Sequence, residues 1–154
     1  MKKILLIFFL FSISVYSQEK KNYFVHLSSD PMFNPSAAIM SIHAASEALI
    51  QGHDVTYFAA GDGVKILMMN VITNLHTVTH HGGNSDRISK MAMNKLLEFS
   101  NNGGTIHVSA GSFLTYGITK ENHKDHLINI SKINWSYPKE LIQESSKADI
   151  VFSY

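Results

Sequence analysis

The sequence predicts an α/β fold, a three-layer sandwich with a parallel sheet of about five strands, and three observations predict it. Strand-like and helix-like segments alternate along the chain, and such alternation requires crossovers that lay parallel strands beneath helices. The strand candidates, such as Thr105-Ile106-His107-Val108, are short apolar runs, as expected of strands covered on both faces. One long helix carries its own start and stop. Asn34 can cap the free amides, Pro35 suits the first turn, Ala38, Ile42, Ala45 and Leu49 recur at helical spacing, and Gly52 allows a left-handed end.

The remaining elements follow in order. Tyr23 to Ser28 is the first strand, and Ser29-Asp30-Pro31 is the loop that leads to the long helix. Asp54 to Ala59 is the second strand, Gly61-Asp62-Gly63 a tight turn, and Val64 to Asn70 a short helix. A strand over Leu75 to Val78 and a loop over His80 to Asn84 are the reading of a poorly patterned stretch. Ser85 is placed to cap a third helix that carries Ile88, Met91, Ala92, Leu96 and Phe99 on one face. After Gly103-Gly104 come the strand Thr105 to Val108 and a short helix from Ala110 to Tyr116 that Gly117 closes. The polar segment from Thr119 to Trp135 is read with a short strand at Leu127 to Ile130. Pro138 to Lys147 is the last helix, and Asp149 to Tyr154 the terminal strand.

The chain has 154 residues, of which 45 % are hydrophobic and 16 % charged, enough apolar side chain for one core and too much for disorder. Lys2 and Lys3 precede the unbroken apolar run Ile4 to Phe11, and Val15 and Ser17 are small residues placed for cleavage after Ser17. This reads as a signal peptide over residues 1–17, with a retained anchor as the alternative. Residues 18–22 form a linker, and 23–154 a single domain. The expected location is outside the cytoplasm, in the periplasm. Loss of two lysines and no acids would move the formal charge from +1 to −1, so neither a nucleic-acid face nor a basic membrane patch is expected. There is no cysteine, which excludes disulfides, persulfides, thiolate nucleophiles and thiolate metal sites.

In order and spacing, several motifs resemble the DsrE/DsrF-like family across nearly the whole mature chain. They are Gly52-His53-Asp54-Val55-Thr56-Tyr57-Phe58 with Gly61-Asp62-Gly63-Val64, then Gly104 to Ser112 with Tyr116-Gly117-Ile118-Thr119. The last is Pro138-Lys139-Glu140-Leu141 leading to Ala148-Asp149-Ile150-Val151. The resemblance implies a flavodoxin-like sheet and homo-oligomers. It also implies that sulfur, in some members, rides as a persulfide on a cysteine after the strand matching Thr105 to Val108. Here Ser109 and Ser112 stand in those places. A serine hydroxyl cannot carry sulfane sulfur and is a poor nucleophile without a base beside it.

In a parallel sheet ligands sit beyond the carboxyl ends of the strands. That rule nominates Ser28, Ser29 and Asp30, then Gly61, Asp62 and Gly63, and finally Ser109, Gly111 and Ser112 as candidates for holding a small anionic ligand. Ser109 could equally be only a helix cap, and so could Asp62. A rival reading pairs Asp62 with a histidine such as His107 as acid and base. Nine histidines invite a third reading, with His76, His80 and His81 as metal ligands, although no acid or thiol completes the set. His26 and His107 fall inside strands, and His123 and His126 are expected to face solvent. Met68, Met69, Met91 and Met93 suggest soft copper ligation or, more simply, adaptable core. The leading expectation is a non-redox ligand-binding or interaction protein with no cofactor.

Overall fold

The computed structural model describes residues 19–75 and 86–154. The expected signal peptide, the part of the expected strand beyond Leu75, the expected cap at Ser85 and the candidate ligands His76, His80 and His81 lie outside them. Five strands, β1 (Asn22–Leu27), β2 (Asp54–Ala59), β3 (Thr105–Ser109), β4 (Asn134–Ser136) and β5 (Ile150–Ser153), form one sheet in the order β4-β3-β2-β1-β5. Every pairing is parallel, with Tyr23 beside Val55 and Ile150, Phe58 beside His107, and Val108 beside Trp135.

The helices are α1 (Pro35–Ile50), α2 (Met69–Ile72), α3 (Asp86–Asn101), α4 (Ala110–Leu114) and α5 (Pro138–Ser146). Asn34 caps α1 as expected, its side chain accepting the Ala37 amide at 3.2 Å, and Gly52 follows at φ 89°. The segment read as a turn followed by a helix is instead a 3-10 helix, Gly61–Leu67, joined to α2 at Met68. Asp62 therefore lies in its first turn rather than capping it.

The strand expected at Leu127 to Ile130 does not form. Leu127 makes one antiparallel bridge to Met68, and the Ile128 amide donates to the Leu67 carbonyl at 3.0 Å. Both side chains are buried, so their apolar character reflects core filling, and the fourth strand is the more polar Asn134–Ser136.

The main core lies on one face of the sheet. Val25, Leu27, Val55, Tyr57, Ile106 and Val108 join Ile42 and Ala45 of α1 and Leu96 and Phe99 of α3 in one cluster. Each such large side chain contributes roughly 1.5–3 kcal/mol on burial. Within it the Tyr57 hydroxyl is 2.9 Å from the Ser41 hydroxyl of α1, which in turn donates to the Ala38 carbonyl at 2.7 Å. The other face carries Phe24, His26, Phe58 and His107, whose rings adjoin one another, with Phe58 stacked on His107 at 5.7 Å.

Right-handed crossovers explain this division. The steps β1 to β2, β2 to β3 and β3 to β4 run in one direction, so their connections share a face, as the packing of α1 on α3 shows. The step from β4 to β5 runs back across the sheet and places α5 on the opposite face, where its charges influence His107.

A methyl group on Gly63 would collide with the Leu27 backbone carbonyl, whereas one on Gly111 would meet open space. Gly63→Ala should therefore lower the unfolding free energy by about 3 kcal/mol in urea denaturation. Gly111→Ala should stay within about 0.5 kcal/mol of the wild type.

Candidate functional site

At the carboxyl end of β1, Ser28 and Ser29 are tied to the end of the sheet. The Ser28 amide and hydroxyl donate to the Tyr154 carbonyl at 2.9 and 3.2 Å, and the Ser29 amide donates to it at 3.3 Å. Asp30 accepts the Met32 amide at 2.9 Å through one carboxylate oxygen and pairs with the Lys65 ammonium at 2.6 Å through the other. That ammonium also lies 3.7 Å from Asp62 and 5.1 Å from the centre of the Tyr116 ring, and the Tyr116 hydroxyl donates to Asp62.

Two carboxylates thus share one cation. Burial works to raise the Asp30 pKa, but bonds from Lys65 and the Met32 amide outweigh it and hold the group below its ordinary value. The bond to Asp30 raises Lys65 against the opposing effect of burial. Acceptance by Asp62, aided by burial, raises Tyr116. Lys65 and Tyr116 were not among the sequence candidates. The available signal was the spacing of Asp62 and Lys65, one helical turn apart.

At the end of β3, Ser109 caps α4 by accepting the Ser112 amide at 3.2 Å. The Ser112 hydroxyl donates to the Ser109 hydroxyl at 2.9 Å and accepts the Gly61 amide at 2.9 Å. Ser109 and Ser112 therefore join β3 to the β2 loop, and the Ser112 oxygen both donates and accepts within the protein.

The structure does not bring Asp62 and His107 together. His107 Nδ1 is 2.8 Å from the buried Ser136 hydroxyl. Burial lowers its pKa, and Glu144 and Glu140 of α5, with Lys147 at its end, are the charges that modify the shift. Asp62 is held by Tyr116 and Lys65. Burial also lowers His26, whose Nε2 has no partner among the described residues. His126 is exposed, but His123 packs edge-on against Trp135 with ring centroids 5.6 Å apart. Among the described residues no three His, Asp or Glu side chains are grouped to hold a metal. Met68 is core, with Met69 and Met91 exposed.

One cleft of about 250 Å³ opens where β3 and β4 end, lined by Gly111, Leu114, Ile118, Lys120, Trp135 and Tyr137 among others. Its position follows from the topology. The chain leaving β3 turns to the main-core face, where Phe113 of α4 is buried. The chain leaving β4 turns to the other face to form α5. Adjacent strands whose connections part in this way leave a crevice between them at the sheet's carboxyl edge, the usual ligand position in open α/β sheets. Of the candidates read from sequence, Gly111 alone lines it. A wider groove beside Met69, Tyr116 and His126 has walls drawn from loops and α2 rather than from strand ends.

The fold has counterparts among solved structures. The ychN protein from E. coli shares 16 % identity at a TM-score of 0.60, over 88 % of this chain and 100 % of that one. A protein of unknown function from Bacteroides thetaiotaomicron shares 14 % at 0.56, over 87 % and 95 %. Another from Methanobacterium thermoautotrophicum shares 11 % at 0.54, over 88 % and 100 %. A search of curated proteins gave no match.

Lys65→Met should cost about 1–2 kcal/mol near neutral pH, less than for a fully buried pair because solvent still screens the ammonium. Asp30 is depressed from 3.8 when folded, so its contribution is complete above that value and lost as pH falls through its lower folded pKa. Lys65 is raised from 10.5, so its contribution is complete below that value and lost as pH rises through its higher folded pKa. The wild-type advantage over Lys65→Met in urea denaturation should accordingly vanish at both extremes. An advantage that persists in strong acid would contradict the pairing.

The sequence matches the DsrE/DsrF-like family over residues 21–154, and with this fold and strand order the chain belongs to that family, as a member without cysteine.

Proposed function

We propose that this chain is an exported, homo-oligomeric, non-redox protein that binds a small anionic ligand in the cleft between the ends of β3 and β4. The observation that carries the reading is the cleft's position at the one place where neighbouring connections part to opposite faces. Chemistry supports it from the other side. Without a thiol the chain cannot hold a persulfide, and the hydroxyls of Ser109 and Ser112 are bonded to each other. The polar cluster around Asp30 and Asp62 is a poor anion site, because Lys65 is already committed to Asp30. It serves to lock the loops beside the cleft. The rim offers Lys120, which makes no hydrogen-bonded ion pair among the described residues. Export rests on the pattern of Met1 to Ser17, and self-association on the family resemblance.

Binding is tested by thermal shift of the purified mature protein with sulfite, thiosulfate and small carboxylates. At least one should raise the melting temperature, and Gly111→Val, which fills the cleft, should remove the effect. Stabilisation by none of them, or stabilisation that survives the substitution, would sink the assignment. Treatment with polysulfide should leave the intact mass unchanged, since no side chain can take up sulfane sulfur. Fractionation of the source cells should recover a chain that begins at Gln18 outside the cytoplasm.

A further inference from the structure

The cleft's walls narrow the class of ligand, on the premise that the cleft is the binding site. We infer that it takes a single planar aromatic ring carrying one anionic group. Its volume of about 250 Å³ lies under the roughly 300–1,000 Å³ of sites for drug-sized molecules. A dinucleotide or peptide is therefore too large, and a one-ring compound is of suitable size.

The walls are apolar and partly aromatic. Trp135 stands on one side, packed on Phe113 at 5.4 Å and on His123 at 5.6 Å, so the indole is braced. Tyr137 remains 58 % exposed and Leu114 63 % exposed, leaving apolar surface in the cleft that no described residue covers. Gly111 leaves open space where a side chain would otherwise stand. Braced rings beside a floor of this kind favour a flat, polarizable guest over a saturated one of similar area.

The charge at the rim sets the other requirement. The Glu121 carboxylate is held by a bond from Thr119, which keeps it well ionised. Lys120, whose charge also acts on Glu121, makes no hydrogen-bonded ion pair among the described residues, and its carbonyl is occupied separately, 2.7 Å from His123 Nδ1. Among the described residues that line the cleft, its ammonium is the cation that can meet a carboxylate or similar group on the ring.

Trp135 is the sole tryptophan of the chain, so its fluorescence reads the cleft directly. The mature protein is titrated with benzoate, with the neutral aromatic benzyl alcohol and with the saturated anion cyclohexanecarboxylate. Benzoate should alter the emission saturably and bind at least about tenfold more tightly than either of the others. Lys120→Gln should reduce benzoate to the affinity of benzyl alcohol. Gly111→Val should weaken benzoate by about tenfold or more with circular dichroism unchanged, and Gly111→Ala should fall between. Equal binding of cyclohexanecarboxylate that is still lost in Gly111→Val would overturn the ring requirement and leave the site standing. No saturable response to benzoate also overturns it. Benzoate binding unaffected by Gly111→Val would place the ligand elsewhere and overturn both the class and the site.

Discussion

One return crossover governs this molecule. Four strands are laid down in a single direction, and the fifth must be reached by carrying the chain back over the whole sheet. Because crossovers are right-handed, the forward connections gather on one face and the return connection takes the other. The large core under α1 and α3, the smaller aromatic layer near α5, and the crevice beside β4 all follow from that choice. The crevice exists because β4 is the first strand whose exit turns the other way.

Much of this was legible in the residues. Asn34, Pro35 and Gly52 mark α1 by chemistry that acts within a turn, and the apolar runs mark four of the five strands. The fourth was missed for a physical reason. Asn134-Trp135-Ser136 is short and mostly polar because an edge position asks little of it, while Leu127 and Ile128 are apolar because they plug the core from a loop. The gap where connections part is set by β4, so residue patterns that leave β4 unmarked nominate three strand-end loops rather than that one gap. Lys65 and Tyr116 escaped for a different reason. Lys65 finds Asp30 across 35 positions of sequence, and Tyr116 finds Asp62 across 54, distances at which local pattern carries no signal.

The polar residues that sequence reasoning favoured at the strand ends turn out to work chiefly on one another. Ser28 and Ser29 fasten β1 to the end of the sheet, Asp30 secures Lys65, and Ser112 joins β3 to the Gly61 loop. A rigid frame of this kind suits binding without chemistry, because loops held by their own bonds need little reordering when a guest arrives. The serine hydroxyls at Ser109 and Ser112 fit the same picture. A hydroxyl is a better and smaller hydrogen-bond partner than a thiol, so the same two positions can serve as struts.

The buried hydroxyl pair of Tyr57 and Ser41 has a mechanical corollary. Most of the contact between α1 and the sheet is made by alanine and aliphatic side chains, which would tolerate a slide along the helix axis. A shift of one turn would tear the phenol from its acceptor and strand two polar groups in a dry interior, at about 1–3 kcal/mol for each. The pair therefore acts as a dowel that fixes the axial setting of α1, and it allows the rest of that interface to remain smooth.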